Sequence, residues 1–372
     1  MANNINHLLE AYRQLQRDGE DRVLATIIET FGSTYQKAGA RMLMTKTGDL
    51  IGLLGGGCFE RDLQEQAAAV FETGHAKTVF YDMRSGEDVI WGLGLGCNGA
   101  VRVLLQLLSA EQDFSPLNLL VEAAETQASG VLVTVFDSGH ADFPAGRSQF
   151  LPAAIVGDQP ILPSAPFPFA TAALQTALQQ TPRIETHLLD GQEIKTFYDP
   201  VQPPWQLLIF GAGADAIPLV NCAKALGWRV TLVDHRPAHI KPERFPQADL
   251  LLHLVPEQVA GLLDLNRFNA LMLMTHNIEY DQRYLQAIVH CRAPFIGLLG
   301  PAHRKQRLLQ SLGDNAALIS DRVFGPVGLD IGAQTPEEIA LSIMAGIHAQ
   351  LKGRNGLQLS NDIVAIKHEC SH

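Results

Sequence analysis

The sequence predicts an α/β protein in two parts: a mixed α/β first half, then a Rossmann-like, doubly wound parallel sheet. Three observations predict it. From residue 206 onward, short apolar runs of strand length alternate with helical patterns, the mark of a parallel sheet covered by helices. A glycine-rich turn, Gly211-Ala212-Gly213-Ala214-Asp215-Ala216, follows the first of those strands. The segment Tyr198–Trp205 holds Pro200, Pro203 and Pro204, which break helix and favour extended chain, so the domains are read as 1–200 and 201–372. A chain of 372 residues suits two cores better than one.

The first half opens with Ile5, Leu8, Leu9, Tyr12 and Leu15 at helical spacing. Strands are expected over Val23–Ile28 and Arg41–Thr45, with Gly48-Asp49 turning the chain into a strand at Leu50–Leu54. A helical pattern runs from Cys58 to Phe71. Strands near Thr78–Asp82, Val101–Leu107 and Val131–Phe136, with a helix near 116–127, are expected to complete one mixed sheet. The proline-rich patch 162–168 reads as an ordered loop.

In the second half, strands are expected at Leu207–Phe210, Arg229–Val233, Leu250–His253, Ala270–Met274 and Phe295–Leu299. Helices are expected at Asp215–Leu226 and near 256–263, 281–290, 303–312 and 336–351. In the turn, Gly211 permits a sharp bend, Gly213 lets backbone approach a pyrophosphate, and the small Ala216 allows close helix–strand packing. Amides at the helix start then face an anion. Asp234 ends the next strand 21 residues after Gly213, where an acid would bond ribose hydroxyls. Arg236 could contact adenine or a 2′-phosphate, so NAD, NADP or another nucleotide all remain open. Asp215, in the first helical turn, opposes phosphate charge. His276 lies where a strand ends, at the edge where open α/β sheets bind ligands, and could act as an acid/base or an anion-binding group.

Charge is uneven. Residues 203–372 carry 15 basic and 15 acidic side chains, so the whole net charge of −11 falls on residues 1–202. Such an acidic half repels phosphate backbones and argues against nucleic acid as a partner. No apolar stretch reaches 18 residues, so no membrane span is expected. Met1–His7 lack the basic-then-apolar pattern of a signal peptide. Five cysteines, an odd number, do not suit a disulfide framework, and a reducing cytoplasm is the expected compartment.

Two of those cysteines sit in glycine-rich loops. Gly55-Gly56-Gly57-Cys58 joins a strand to a helix, placing Cys58 near a helix N-terminus that favours thiolate, with Glu60 partly opposing the effect. Gly92-Leu93-Gly94-Leu95-Gly96-Cys97 is a second loop of the same character. Neither cysteine belongs to a Cys-x-x-Cys pair, which argues against an ordinary structural zinc site. Together they suggest thiols flanking a soft ligand, sulfur-bearing or metal-bearing. Ser33, Lys37 and Arg41, set among Gly32 and Gly39, are donors suited to an anion. Cys222, Cys291 and Cys370 read as packing or tail residues.

These elements, in this order, resemble the XdhC/CoxI family, the xanthine dehydrogenase accessory proteins. The resemblance rests on Gly32-Ser33-Thr34, Gly39-Ala40-Arg41-Met42, the two glycine–cysteine loops, Phe210–Gly213, Val233–Arg236, Met274-Thr275-His276 and the run Gly325–Ala333. Two places depart from the family pattern: Asn277-Ile278 after His276, and Pro301-Ala302-His303 before Arg304. The resemblance implies a cytoplasmic cofactor-maturation chaperone rather than a turnover enzyme. It would bind and protect molybdenum cofactor, support its sulfuration with a cysteine desulfurase, and deliver it to a molybdenum hydroxylase, as a homodimer. An anionic, sulfur-rich pterin would suit Cys58 or Cys97 at the molybdenum, with Ser33, Arg41, Gly55, Gly56, Gly57 and Gly96 around it. Gly211, Gly213, Ala216, Asp234, Arg236 and His276 form the candidate nucleotide site. The rival readings are a nicotinamide-dependent oxidoreductase, and a nucleotide-regulated scaffold without cofactor chemistry.

Overall fold

The computed structural model describes residues 5–55, 59–84, 99–156, 159–161 and 169–358. Cys58, Cys97, Gly56, Gly57, Gly96 and the proline-rich patch 162–168 therefore lie outside the described residues. The chain divides into two units, Met1–Pro204 and Trp205–His372.

The first unit begins with α1 (Ile5–Asp18), which buries Leu8, Leu9, Tyr12 and Leu15 as its helical spacing requires. The strands β1 (Arg22–Gly32), β2 (Arg41–Met44) and β3 (Leu50–Gly52) follow. Next come α2 (Glu60–Thr73), β4 (Lys77–Asp82) and β5 (Gly99–Leu108). These strands form an antiparallel sheet of five in the order β3-β2-β1-β5-β4. Alternation along β1 settles what covers it. Val23, Ala25 and Ile27 pack under Leu63, Ala67 and Val70 of α2, whereas Leu24 packs with α1 and with α3 (Leu117–Glu125) on the opposite face.

A second sheet was not legible as such. β6 (Gly130–Ser138) and β7 (Ser148–Pro152) are followed by the small hairpin β8 (Ala154–Val156) and β9 (Gln159–Ile161). Then come α4 (Ala170–Gln179), β10 (Arg183–Leu189) and β11 (Gln192–Val201), and the sheet runs β10-β11-β6-β7. The expectation that Val131–Phe136 joins a single mixed sheet is therefore corrected. The reason is that β6 is apolar on both faces. Val131, Val133 and Val135 pack with Ala172, Ala173 and Ala177 of α4, while Leu132 packs with Leu120 and Val201 and Phe136 with Ile28 and Leu104 of the first sheet. Pro200 lies within β11, opposite Val131, beyond Tyr198, where pairing with β10 has ended. A proline without an amide N–H is tolerated there, so the strand continues through residue 200 and the units divide four residues later.

The second unit follows its apolar pattern closely. It runs β12 (Gln206–Phe210), α5 (Ala216–Ala225), β13 (Arg229–Asp234), β14 (Leu250–His253), α6 (Pro256–Leu262), β15 (Ala270–Leu273) and α7 (Ile278–Ala287). β16 (Phe295–Leu298), α8 (Ala302–Gln310), β17 (Val323–Phe324) and α9 (Pro336–Leu351) complete it. All strands are parallel, in the order β14-β13-β12-β15-β16-β17. Leu207 and Ile209 face a layer containing Leu219 and Val220 of α5 and Ile343 and Met344 of α9. Leu208 and Phe210 face Tyr284 and Leu285 of α7 and Leu308 of α8. Burial on both faces is why these strands are continuously apolar. α9 starts at a capping box written in the sequence: Thr335 Oγ1 accepts from the Glu338 amide and Glu338 Oε2 accepts from the Thr335 amide, with Pro336 at the first turn. Among the described residues, no helix is long and apolar enough to cross a membrane.

Candidate functional site

Two places collect the chemistry that the sequence singles out. In the first unit, β1 ends at Gly32 opposite Gly99, where β5 begins, and β4 ends at Asp82 opposite Ala100. β3 ends at Gly52 opposite Met42 and heads toward the same edge. α2 starts there too, because its first turn reaches β4: Phe59 stacks on Tyr81 at 4.9 Å, and the Tyr81 hydroxyl donates to Asp62 at 2.5 Å. Burial and Asp62 together push the Tyr81 phenol far above its usual range. The chain thus enters residues 56–58 and leaves residues 85–98 at one edge of one sheet.

The packing there is tight. A Cβ on Gly99 would lie 2.4 Å from the Ser33 carbonyl oxygen and 2.7 Å from that of Phe31. Ser33 itself is exposed beside this junction. Glu60, buried at the start of α2, accepts the Gly55 amide at 2.7 Å and the Phe59 amide at 3.2 Å. Its carboxylate therefore clasps both ends of the glycine–cysteine loop. This corrects one expectation: the Gly55 amide serves Glu60, since the nearest buried anion is the chain's own. On the face opposite α2, Phe31 and Phe80 meet edge to face at 6.1 Å and stay partly exposed, with Arg84 and Arg102 over their rings.

Arg41 is a second correction. Its guanidinium is buried, donates to Asp199 Oδ2 at 2.6 Å and to the Gly39 carbonyl at 3.0 Å, and ties β2 of the first sheet to β11 of the second. Gly39, at φ +91°, gives Asp199 room, since a Cβ would sit 2.9 Å from Oδ1. Gly39-Ala40-Arg41 is thus a clamp between sheets rather than a ligand loop. Its partner lies 158 residues away, and no local signal announces it.

In the second unit the strand order reverses between β12 and β15, which opens a crevice at the carboxyl ends of the strands. Gly211, at φ +118°, turns the chain against β15: a Cβ would fall 2.4 Å from the Met274 carbonyl oxygen. Ala216 is fully buried at the start of α5, as the close helix–strand packing requires. Asp234 is fully buried as well and does not face a ribose. It accepts the Ala212 amide at 2.7 Å, the Arg236 amide and Nε at 2.8 and 2.9 Å, and Arg236 Nη2 at 2.8 Å. Burial pushes its carboxyl up, but the Arg236 and Ala212 bonds outweigh that and hold it at about 2. Arg236 is folded back onto this carboxylate, so neither residue presents the free group that ribose or 2′-phosphate recognition needs.

His276 stands over the turn. Its backbone is left-handed, φ +59°, and its Nε2 lies 2.7 Å from Asp215 Oδ2. Asp281, buried in the first turn of α7, holds the neighbouring Thr275 through its hydroxyl at 2.6 Å and its amide at 3.3 Å. Arg304 Nη2 donates to Asp281 at 2.7 Å in turn. Sequence reasoning missed Asp281 and Arg304; the signal was an acid in the first turn of a helix that follows a strand end, six residues after Thr275. Among the described residues, no group of three or more His, Cys, Asp or Glu could hold a metal ion.

Residues 15–82 match the XdhC and CoxI family, and residues 207–347 match the XdhC Rossmann domain. A Bacillus subtilis protein, named as a probable subunit of xanthine dehydrogenase, is 33% identical over 346 residues, spanning 92% of this chain and 96% of that one. The chain belongs to the XdhC and CoxI family. A crystal structure of a xanthine dehydrogenase from Bacillus halodurans is 30% identical, with a TM-score of 0.72 over 93% of this chain and 96% of that one. An uncharacterized Escherichia coli protein, YqeB, is 30% identical over 145 residues, 38% of this chain and 26% of that protein. The family's two parts fall on the two units: the first matches β1 through β4 with α2, and the second the parallel sheet from β12 into α9.

Proposed function

We propose that this XdhC/CoxI protein is an accessory factor of a xanthine dehydrogenase-type molybdenum hydroxylase. It binds molybdenum cofactor at the glycine edge of the first unit, protects it, supports its sulfuration with a cysteine desulfurase, and hands it to the client. The observation that carries this reading is convergence. The flanks of both glycine–cysteine loops, the start of α2 and Ser33 lie at one edge of one sheet. Relatives named as xanthine dehydrogenase proteins point the same way.

The chemistry of the donor set fits such a cofactor. Two thiols from Cys58 and Cys97 are soft donors for molybdenum or its exchangeable sulfur. The amides of Gly56, Gly57 and Gly96 and the Ser33 hydroxyl suit the anionic end. Arg41 and the Gly55 amide drop out, because Asp199 and Glu60 hold them. When bound, the group supplies the sulfur-ligated molybdenum that the client requires. The chain's own part is to bind, to keep thiols beside the metal, and to exclude water. We place the protein in the cytoplasm as a homodimer, acting as a chaperone and not on nucleic acid.

The test uses Cys58→Ala, Cys97→Ala and the double variant, each made in a cofactor-producing host. Bound pterin is read by fluorescence after acid oxidation, and client activation is read by hydroxylase activity. The double variant is expected to lose both readouts. Full retention of both sinks the proposal.

A further inference from the structure

The second unit carries the turn of a dinucleotide-binding sheet, yet the space that this turn reserves for phosphate is filled by the chain itself. A Cβ on Gly213 would lie 2.3 Å from Asp215 Oδ1 and 3.9 Å from the His276 ring. In a dinucleotide-binding turn the second glycine makes room for a ligand's pyrophosphate at the helix start. Here the missing side chain makes room for a carboxylate at the N-cap of α5. That carboxylate makes no capping hydrogen bond to the helix, and its Oδ2 instead meets His276 Nε2 at 2.7 Å.

The charges around it reinforce the point. Arg236 is bound to Asp234, and Arg304 to Asp281, so each guanidinium at these strand ends is matched by a buried carboxylate. It is His276 that pairs with Asp215. The backbone that presents His276 is left-handed, a conformation costly for any side chain with a Cβ. It is held there by the Thr275–Asp281–Arg304 chain. A half-exposed histidine gains little from burial to offset that cost, so its placement over Asp215 is the gain.

We infer that Asp215 is a built-in anion occupying the phosphate position of the Rossmann turn, with His276 as its partner. The crevice of the second unit therefore rejects dinucleotides. It takes ligands that bring an N–H or O–H donor, and no phosphate, to the turn. Asp215 then acts as the acceptor that orients such a ligand beside the His276 ring. The inference does not rest on cofactor binding by the first unit.

The experiment is titration of the full chain with NADH and NADPH at neutral pH, by calorimetry and by quenching of the Trp205 and Trp228 fluorescence. Asp215→Ser removes both the charge and the bulk, while Asp215→Asn removes the charge alone. Two like charges about 4 Å apart at a partly screened site oppose each other by on the order of a hundredfold to a thousandfold in affinity. Wild type is expected to bind both dinucleotides too weakly to saturate. Asp215→Ser is expected to bind at least one of them saturably, with half-saturation on the order of a hundredfold or more below the highest concentration at which wild type stays unsaturated. Asp215→Asn is expected to fall between them. His276→Ala, which keeps the carboxylate, is expected to gain nothing. Retained far-UV circular dichroism shows that each variant is folded. Tight dinucleotide binding by wild type overturns the inference. So does a folded Asp215→Ser chain no better than wild type, or a gain produced by His276→Ala.

Discussion

The Arg41–Asp199 pair gives the largest single effect that the first unit should show. Both side chains are more than nine-tenths buried, and Nη2 meets Oδ2 at 2.6 Å. Asp199→Ala removes the carboxylate that meets this buried guanidinium, and breaking a buried ion pair from one side costs about 3–5 kcal/mol. For a unit of this size each kcal/mol shifts the melting temperature by about 2–4 °C, so a fall of roughly 6–20 °C is expected. The Gly39 amide, which donates to the Ile27 carbonyl at 2.8 Å, and the Ile27 amide, which donates to the Ala40 carbonyl at 2.9 Å, sit beside the clamp. Hydrogen exchange read by mass spectrometry should show both amides losing protection, with peptides of the second unit as an internal standard. Replacing both members by apolar residues, Arg41→Met with Asp199→Leu, removes the charge problem and should recover most of the loss. A single variant that loses less than about 1 kcal/mol, or a double variant no better than the single, refutes the reasoning.

Glu60→Ala should destabilise the first unit by about 2–4 kcal/mol in urea, since two amides lose a charged acceptor, and Glu60→Gln by about half of that because one acceptor oxygen survives. Equal losses from the two variants would show that the clasp is not electrostatic. Asp234 links the second unit to pH. Its folded value of about 2 lies below the ordinary 3.8, so its contribution is complete above pH 3.8 and is lost as pH falls to about 2. The loss is about 2 kcal/mol, read as the difference between wild type and Asp234→Asn in tryptophan-monitored unfolding. Trp205 and Trp228, packed edge to face at 5.0 Å, report on that unit. Parallel profiles for the two proteins would count against it.

The second unit was legible because every rule agreed there. Continuous apolar strands, amphipathic helices between them, a glycine turn and a terminal acid all describe one architecture. What its sequence could not supply was the state of the acid. Asp234 stands where a ribose-binding acid belongs, but Arg236, two residues later, closes on it, and a fingerprint records positions without recording partners. In the first unit the hairpin around Gly48-Asp49 and helices α1 and α2 were readable from local pattern. The split into two sheets was not, because it depends on which strands pair with β6, and one of them, β11, comes only after β7, β8, β9, α4 and β10 in the chain. Arg41 shows the same limit. An arginine between glycines reads as an anion site until the long-range partner is known.

His276 allows the strain argument to be tested by sign rather than by size. At ordinary backbone angles alanine is more stable than glycine by about 0.5–1 kcal/mol, because glycine has more freedom to lose on folding. In the left-handed region the order reverses, since a Cβ costs about 1–2 kcal/mol and glycine is free of it. Both His276→Gly and His276→Ala lose the same contact with Asp215, and the side chain is 59% exposed, so burial hardly distinguishes them. Their difference therefore isolates the backbone. His276→Gly should be the more stable of the two by roughly 0.5–1 kcal/mol in urea unfolding. If alanine proves the more stable, the loop relaxes to ordinary angles once the imidazole is gone. The left-handed turn would then be a consequence of the Asp215 contact rather than a conformation imposed by Thr275, Asp281 and Arg304.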